Sequence, residues 1–112
     1  MIEVDILRNS FGKIYKFTVK GHADFNEYGK DIICAAVSAI SQTAVLGLES
    51  LVSIHIKKKI KDGYLTVEID KINNEEDLIK VASILETMVL GLKDIAKEYP
   101  DNVIVFDRRC NR

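Results

Sequence analysis

The sequence predicts an α+β two-layer sandwich, a largely antiparallel sheet of four to five strands with two helices on one face. Two observations carry that expectation. Two pairs of short segments alternate apolar and polar residues, each pair joined by a turn, and each pair is followed by a long segment whose apolar residues recur every three to four positions. Hairpins in that order build a mostly antiparallel sheet and leave the helices to cover one side of it. With 112 residues, 47% of them hydrophobic and 29% charged, residues 1–112 make one small domain around one core.

The first pair spans residues 2 to 8, with Ile2, Val4 and Ile6 on one side, and residues 13 to 20, with Tyr15, Phe17 and Val19 opposed to Lys16, Thr18 and Lys20. Asn9-Ser10-Phe11-Gly12 turns the chain between them, and Gly21 ends the second strand. Residues 31 to about 52 read as a helix capped by Asp31, apolar enough at Ile32, Ile33, Ala36, Val37, Ile40, Ala44, Leu48 and Leu51 to be buried on more than one side. Residues 54 to 61 and 64 to 70 alternate around Asp62-Gly63, a strong two-residue hairpin signal. The second helix starts at the acidic Glu75-Glu76-Asp77, keeps a 3.6-residue stripe from Leu78 to Tyr99 and stops at Pro100. Val103-Ile104-Val105-Phe106 is either a fifth strand or an apolar tail docked on the core.

Several function classes are disfavoured. The formal net charge of −1 gives no global attraction for nucleic acid, and the basic run Lys57-Lys58-Lys59-Ile60-Lys61 reads as a solvated strand face, so no direct nucleic-acid binding is expected. Ser38, Ser41, Gln42, Thr43 and Glu49 interrupt the most apolar segment, and the N-terminus lacks a basic stretch followed by an apolar run. No membrane association and a cytoplasmic location are therefore expected. Cys34 and Cys110 are expected to be reduced in that compartment.

Residues 21 to 38 hold the chemistry. Cys34 falls on the third residue of the first helix, where unpaired N–H groups and the positive end of the helix dipole favour a thiolate. An ordinary cysteine is only about 3% ionised at neutral pH, and a helix terminus supplies about 0.3–1 kcal/mol, so a cation must help. His22, twelve residues earlier and bracketed with the intervening loop by Gly21 and Gly29, is suited to be that imidazolium and to carry a proton to a leaving amine. Asp31 is either a helix cap or a carboxylate that orients His22, with the cap favoured about two to one. N–H groups of Cys34 and its neighbours are candidates to stabilise an oxyanion. Ser38, one turn on, either tunes the thiol or binds substrate backbone, or simply packs; Phe25 and Tyr28 offer aromatic contact area to a substrate. Each candidate also has a plainer reading, a buried small hydrophobe for Cys34 and a turn residue for His22, and these residues alone make a catalytic pair about a one-in-four outcome. A metal site is disfavoured, with three possible ligands and no paired ligand spacing, and no cofactor is expected.

The segment GHADFNEYGKDIICAAVS, from Gly21 to Ser38, resembles the signature of the Prp family of bacterial ribosomal-processing cysteine proteases at Gly21, His22, Ala23, Gly29, Asp31, Cys34, Ala35 and Ser38. The resemblance implies a cytosolic homodimer that removes a short N-terminal extension from a large-subunit ribosomal protein, with Cys34 as nucleophile and His22 as base. It also implies that the segment between them is a mobile loop that closes over peptide. The alternative is a non-enzymatic ribosome-associated binding module in which residues 57 to 61 touch RNA and Cys34 is core.

Overall fold

The computed structural model of the chain describes residues 1–27 and 30–110, and both hairpins and both helices are there. Strands β1 (Ile2–Arg8) and β2 (Ile14–Gly21) pair antiparallel, turning over Gly12 at φ +80, with the Asn9 side chain accepting from the N–H groups of Phe11 and Lys13. The alternation expected of β2 is broken at one place. Leu7 pairs with Lys16 but Arg8 pairs with Ile14, which leaves Tyr15 as the extra residue of a β-bulge. The bulge turns both Ile14 and Phe17 into the core, although they are three apart, and leaves Tyr15 half-buried instead of inward beside Phe17.

Helix α1 (Ile32–Glu49) is capped by Asp31 as expected but ends earlier than residue 52. Ser50 closes it, its hydroxyl donating to the Gly47 carbonyl, and two tight turns through Leu51 and Ile54 follow. Those turns bring Ile54 into the core while Val52 stands 97% exposed. The buried stripe of α1 is Ile33, Val37, Ser41, Ala44, Val45 and Leu48. Within one chain the helix is thus buried along one side only, since Ile32 and Leu46 on its other faces are exposed. By length and composition α1 could cross a bilayer, but its apolar stripe is packed into this core.

Strands β3 (Ile56–Lys61) and β4 (Tyr64–Ile69) form the second hairpin over Asp62-Gly63, with Gly63 at φ +67. Helix α2 (Glu75–Glu98) begins at Asn74, whose side chain accepts from the N–H of Asp77 while the Asp77 carboxylate accepts from the Asn74 amide, a reciprocal cap. The last segment is a strand, β5 (Val103–Arg109), running parallel to β1. It extends past the apolar residues because its charged end is paired: Asp107 accepts from Arg8 and Lys93, and Arg108 meets Asp5.

The sheet order is β3-β4-β2-β1-β5. Its inner face, with Ile2, Val4, Ile6, Phe17, Leu65, Val67 and Val103, joins Leu48, Leu85 and Leu92 of the helices in one core, where each large aliphatic contributes about 1.5–3 kcal/mol on burial. The outer face is polar, with Thr18 bonded to Thr66 and Lys20 beside Glu3. The lysines of residues 57 to 61 lie on edge strand β3, where charge discourages strand addition, and Lys58 and Lys57 pair with Glu49 and Asp70.

Candidate active site

The site forms where β2 ends and α1 begins. Gly21 stands at φ +96, and a Cβ there would come within 2.3 Å of the Met1 carbonyl oxygen, so only glycine lets the chain leave the sheet at this point. His22 follows on the surface, and Ala23 is buried at 1% exposure. Ala23 is held from both sides: its carbonyl accepts from the Asn102 side chain at 2.9 Å, and its N–H donates to Cys34 Sγ at 3.2 Å. That N–H reaches the sulfur at the third residue of α1, on the first turn of the helix. Cys34 and Cys110 are both free thiols, as expected.

Asp31 organises the segment between. One carboxylate oxygen accepts from the N–H groups of Ile33 and Cys34, each at 3.0 Å, and the other accepts from Phe25 at 3.0 Å and Asn26 at 3.4 Å. Desolvation pushes this carboxyl up, but the N–H groups of Cys34, Phe25, Asn26 and Ile33 outweigh it and hold it below the ordinary carboxylate value. Asp31 therefore occupies the cap position and also ties the loop back to the helix start. This geometry corrects one expectation: the N–H groups of Ile33 and Cys34 are already bonded to Asp31, and that of Ala35 to the Asp31 carbonyl, so they are not open donors for an oxyanion.

His22, Asp31, Cys34 and Ser38 come together in a cleft of about 430 Å³, completed by Asp24, Asn26, Ala35, Asp62 and Gly63. That volume suits a short peptide segment. Phe25, 46% exposed, packs its ring edge-on against Tyr99 at 5.7 Å, while its neighbours Asp24 and Asn26 line the cleft. Tyr28 and Gly29 lie outside the described residues. Asp24, in the left-handed region at φ +56, accepts from the Met1 ammonium at 3.0 Å. Asp62 and Gly63 line the cleft without a mark in the sequence that points to it. Their local signal is a hairpin turn, and only the pairing of β4 with β2 carries that turn to His22.

The family model for cysteine protease Prp matches residues 1–104. The ribosomal processing cysteine protease Prp of Staphylococcus aureus is 38% identical over 106 residues, covering 92% of this chain and 95% of that protein. Its counterpart in Bacillus subtilis is 32% identical over 107 residues, with 94% and 96% covered. Among solved structures, the S. aureus protease in complex with a covalently linked product peptide superposes with a TM-score of 0.86 at 34% identity, over 96% of this chain and all of that one. The S. aureus protease in complex with a substrate peptide gives 0.79 at 31% identity, with the same coverage. The thiol at a helix start, the histidine across one cleft from it and a match over nearly the whole length have one explanation: this chain belongs to the Prp family of cysteine proteases.

Proposed function

We propose that this chain is a cysteine endopeptidase that removes a short N-terminal extension from a large-subunit ribosomal protein during ribosome assembly. The observation that carries the reading is the shared cleft, in which a thiol on the first turn of α1 and an imidazole at the end of β2 face the same space. His22 takes the Cys34 proton, and the thiolate attacks the scissile carbonyl to form a C–S bond. The tetrahedral intermediate collapses as the C–N bond breaks, and His22 returns the proton to the departing amine. Water, deprotonated by His22, then cleaves the acyl thioester, releasing the new carboxylate and restoring the thiol. Asp31 fixes the helix start and the loop around this pair, and Ser38 borders the peptide path.

The ribosomal processing role named for the Staphylococcus and Bacillus relatives, and the substrate and product peptides bound to the S. aureus protease, support this substrate class. We further place the enzyme in the cytoplasm, where ribosomes assemble, and read it as a homodimer. An apolar groove between α1 and α2 is lined by Ile40, Ile84 and Met88, and Leu46 of α1 and Leu90 of α2 are exposed at 67% and 70%, the kind of surface a second copy covers.

The test is mass spectrometry of a ribosomal protein carrying its N-terminal extension after incubation with the full chain. Wild type should release a discrete N-terminal fragment and Cys34→Ala none, with an unchanged circular dichroism spectrum. Processing by folded Cys34→Ala at the wild-type rate would refute the assignment. His22→Ala should likewise stop processing and should slow Cys34 alkylation at neutral pH.

A further inference from the structure

We propose that Gly63, at the tip of the β3–β4 hairpin, is a positioning residue for the His22 imidazole. This rests on the reading of His22 as the base. His22 lies on an exposed stretch just beyond the last residue of β2. The hairpin tip meets its ring. A Cβ added at Gly63 would stand 2.8 Å from His22 Nε2, 3.2 Å from Cε1 and 3.5 Å from Cδ2, which means that the ring edge rests against the bare Cα of this glycine. The hairpin tip is itself fixed to the chain that bears the histidine. The N–H of Gly21, the residue before His22, donates to the Gly63 carbonyl at 2.9 Å, and Lys20 pairs with Tyr64.

Glycine is required at residue 63 for two separable reasons. The backbone is left-handed at φ +67, a conformation that asparagine also tolerates, and the missing Cβ leaves room for the ring, which asparagine does not. Gly12, at φ +80 in the other hairpin, provides the contrast, because a Cβ there would meet only the flexible end of Arg109 at 2.9 Å. Asparagine at residue 12 thus carries a comparable backbone cost without touching the imidazole. At residue 63 the imidazole is the part that yields, since ordinary contact starts at 3.4 Å and the ring must move by about 0.6 Å or more. A displacement of roughly 1 Å between reacting groups costs about a hundredfold in rate.

The experiment compares Gly63→Asn and Gly12→Asn in the full chain, with His22→Ala alongside. Gly63→Asn should lose about tenfold to a hundredfold in kcat with KM within about twofold of wild type. It should also shift the pH profile of Cys34 alkylation, whereas Gly12→Asn should match wild type in both at a similar Tm. A folded Gly63→Asn with wild-type kcat and alkylation profile, or equal losses in Gly12→Asn, overturns the proposal. A measurement on the unmodified protein stands beside it should Gly63→Asn not fold: a nuclear Overhauser effect between the Gly63 α-protons and His22 Hε1 is expected, and its absence overturns the placement. If His22→Ala cleaves normally, the reading of His22 as base is what fails. If His22→Ala is inactive and folded Gly63→Asn is not impaired, the positioning role alone fails.

Discussion

Replacing Asp31 separates a helix cap from a triad carboxylate. Asp31→Ala removes both oxygens and with them four acceptances, two from the first turn of α1 and two from the loop. Losing an N-cap costs about 1 kcal/mol, and the loop N–H groups are exposed enough for water to replace part of the rest, so the total is about 1–2 kcal/mol. Unfolding entropy is about 2.1 cal/mol/K per residue, or about 0.24 kcal/mol/K for this chain, which converts the loss to a Tm decrease of about 4–9 °C. Asp31→Asn keeps one oxygen for Ile33 and Cys34 and gives up the acceptor for Phe25 and Asn26, so about half that decrease is expected. It also removes a negative charge beside the thiol. Cys34 alkylation at neutral pH should quicken, and kcat should stay within about tenfold of wild type.

Thermal melts, single-turnover cleavage and an alkylation profile against pH together decide the matter. Acid conditions add a signed check. Because the folded carboxyl is held below its ordinary 3.8, its contribution is fully present above about pH 4 and is lost as pH falls through the folded value. The Tm gap between wild type and Asp31→Asn should therefore be constant near neutrality and close in acid. A well-folded Asp31→Asn whose kcat falls on the order of 10⁴ would refute the cap assignment, because that is the loss expected when the carboxylate orienting a catalytic histidine is amidated.

Arg8 ties β1 to α2 and β5, donating to Glu86 at 2.6 and 2.9 Å and to Asp107 at 2.8 and 3.1 Å, so Arg8→Met should cost about 2–3 kcal/mol in a urea titration; a loss under about 0.5 would show the network to be idle. The Arg8 bond, against the cost of desolvation and with help from Lys93, pulls the Asp107 carboxyl down to about 2. That stabilisation is complete above about pH 4 and drains away as pH falls towards 2, and in Arg8→Met the acid transition should move to higher pH. Light scattering at micromolar concentration should give a dimer for wild type and a monomer for the Leu46→Lys, Leu90→Lys double variant with unchanged circular dichroism; a monomeric wild type would refute the homodimer.

What was legible in the sequence was local, and what was not depends on strand order. Asp31 could be read as a cap because its partners are two and three residues away, and Cys34 as a first-turn thiol because the cap fixes the count. The Tyr15 bulge has no such mark, since Tyr15, Phe17 and Val19 alternate perfectly well and only the pairing to Leu7 and Arg8 reveals the extra residue. The open status assigned to the first-turn N–H groups failed for a related reason: the residue type that makes a good cap also consumes the donors an oxyanion would need. The rest of the site converges on the first residue of β1. Ile2 pairs with Gly21 on one side and Val103 on the other, and its N–H donates to the Asn102 carbonyl. That crossing sets Asn102 against Ala23, and Tyr99, one turn of chain earlier, against Phe25, although each pair is more than 70 positions apart in sequence. On the far side β4 pairs with β2 and delivers Gly63 to His22. The proposed catalytic pair, His22 and Cys34, is thus encoded within 18 residues, while the two walls around it come from opposite ends of the sheet order. A substitution in either wall should therefore disturb the catalytic geometry more than the stability of the core that carries it.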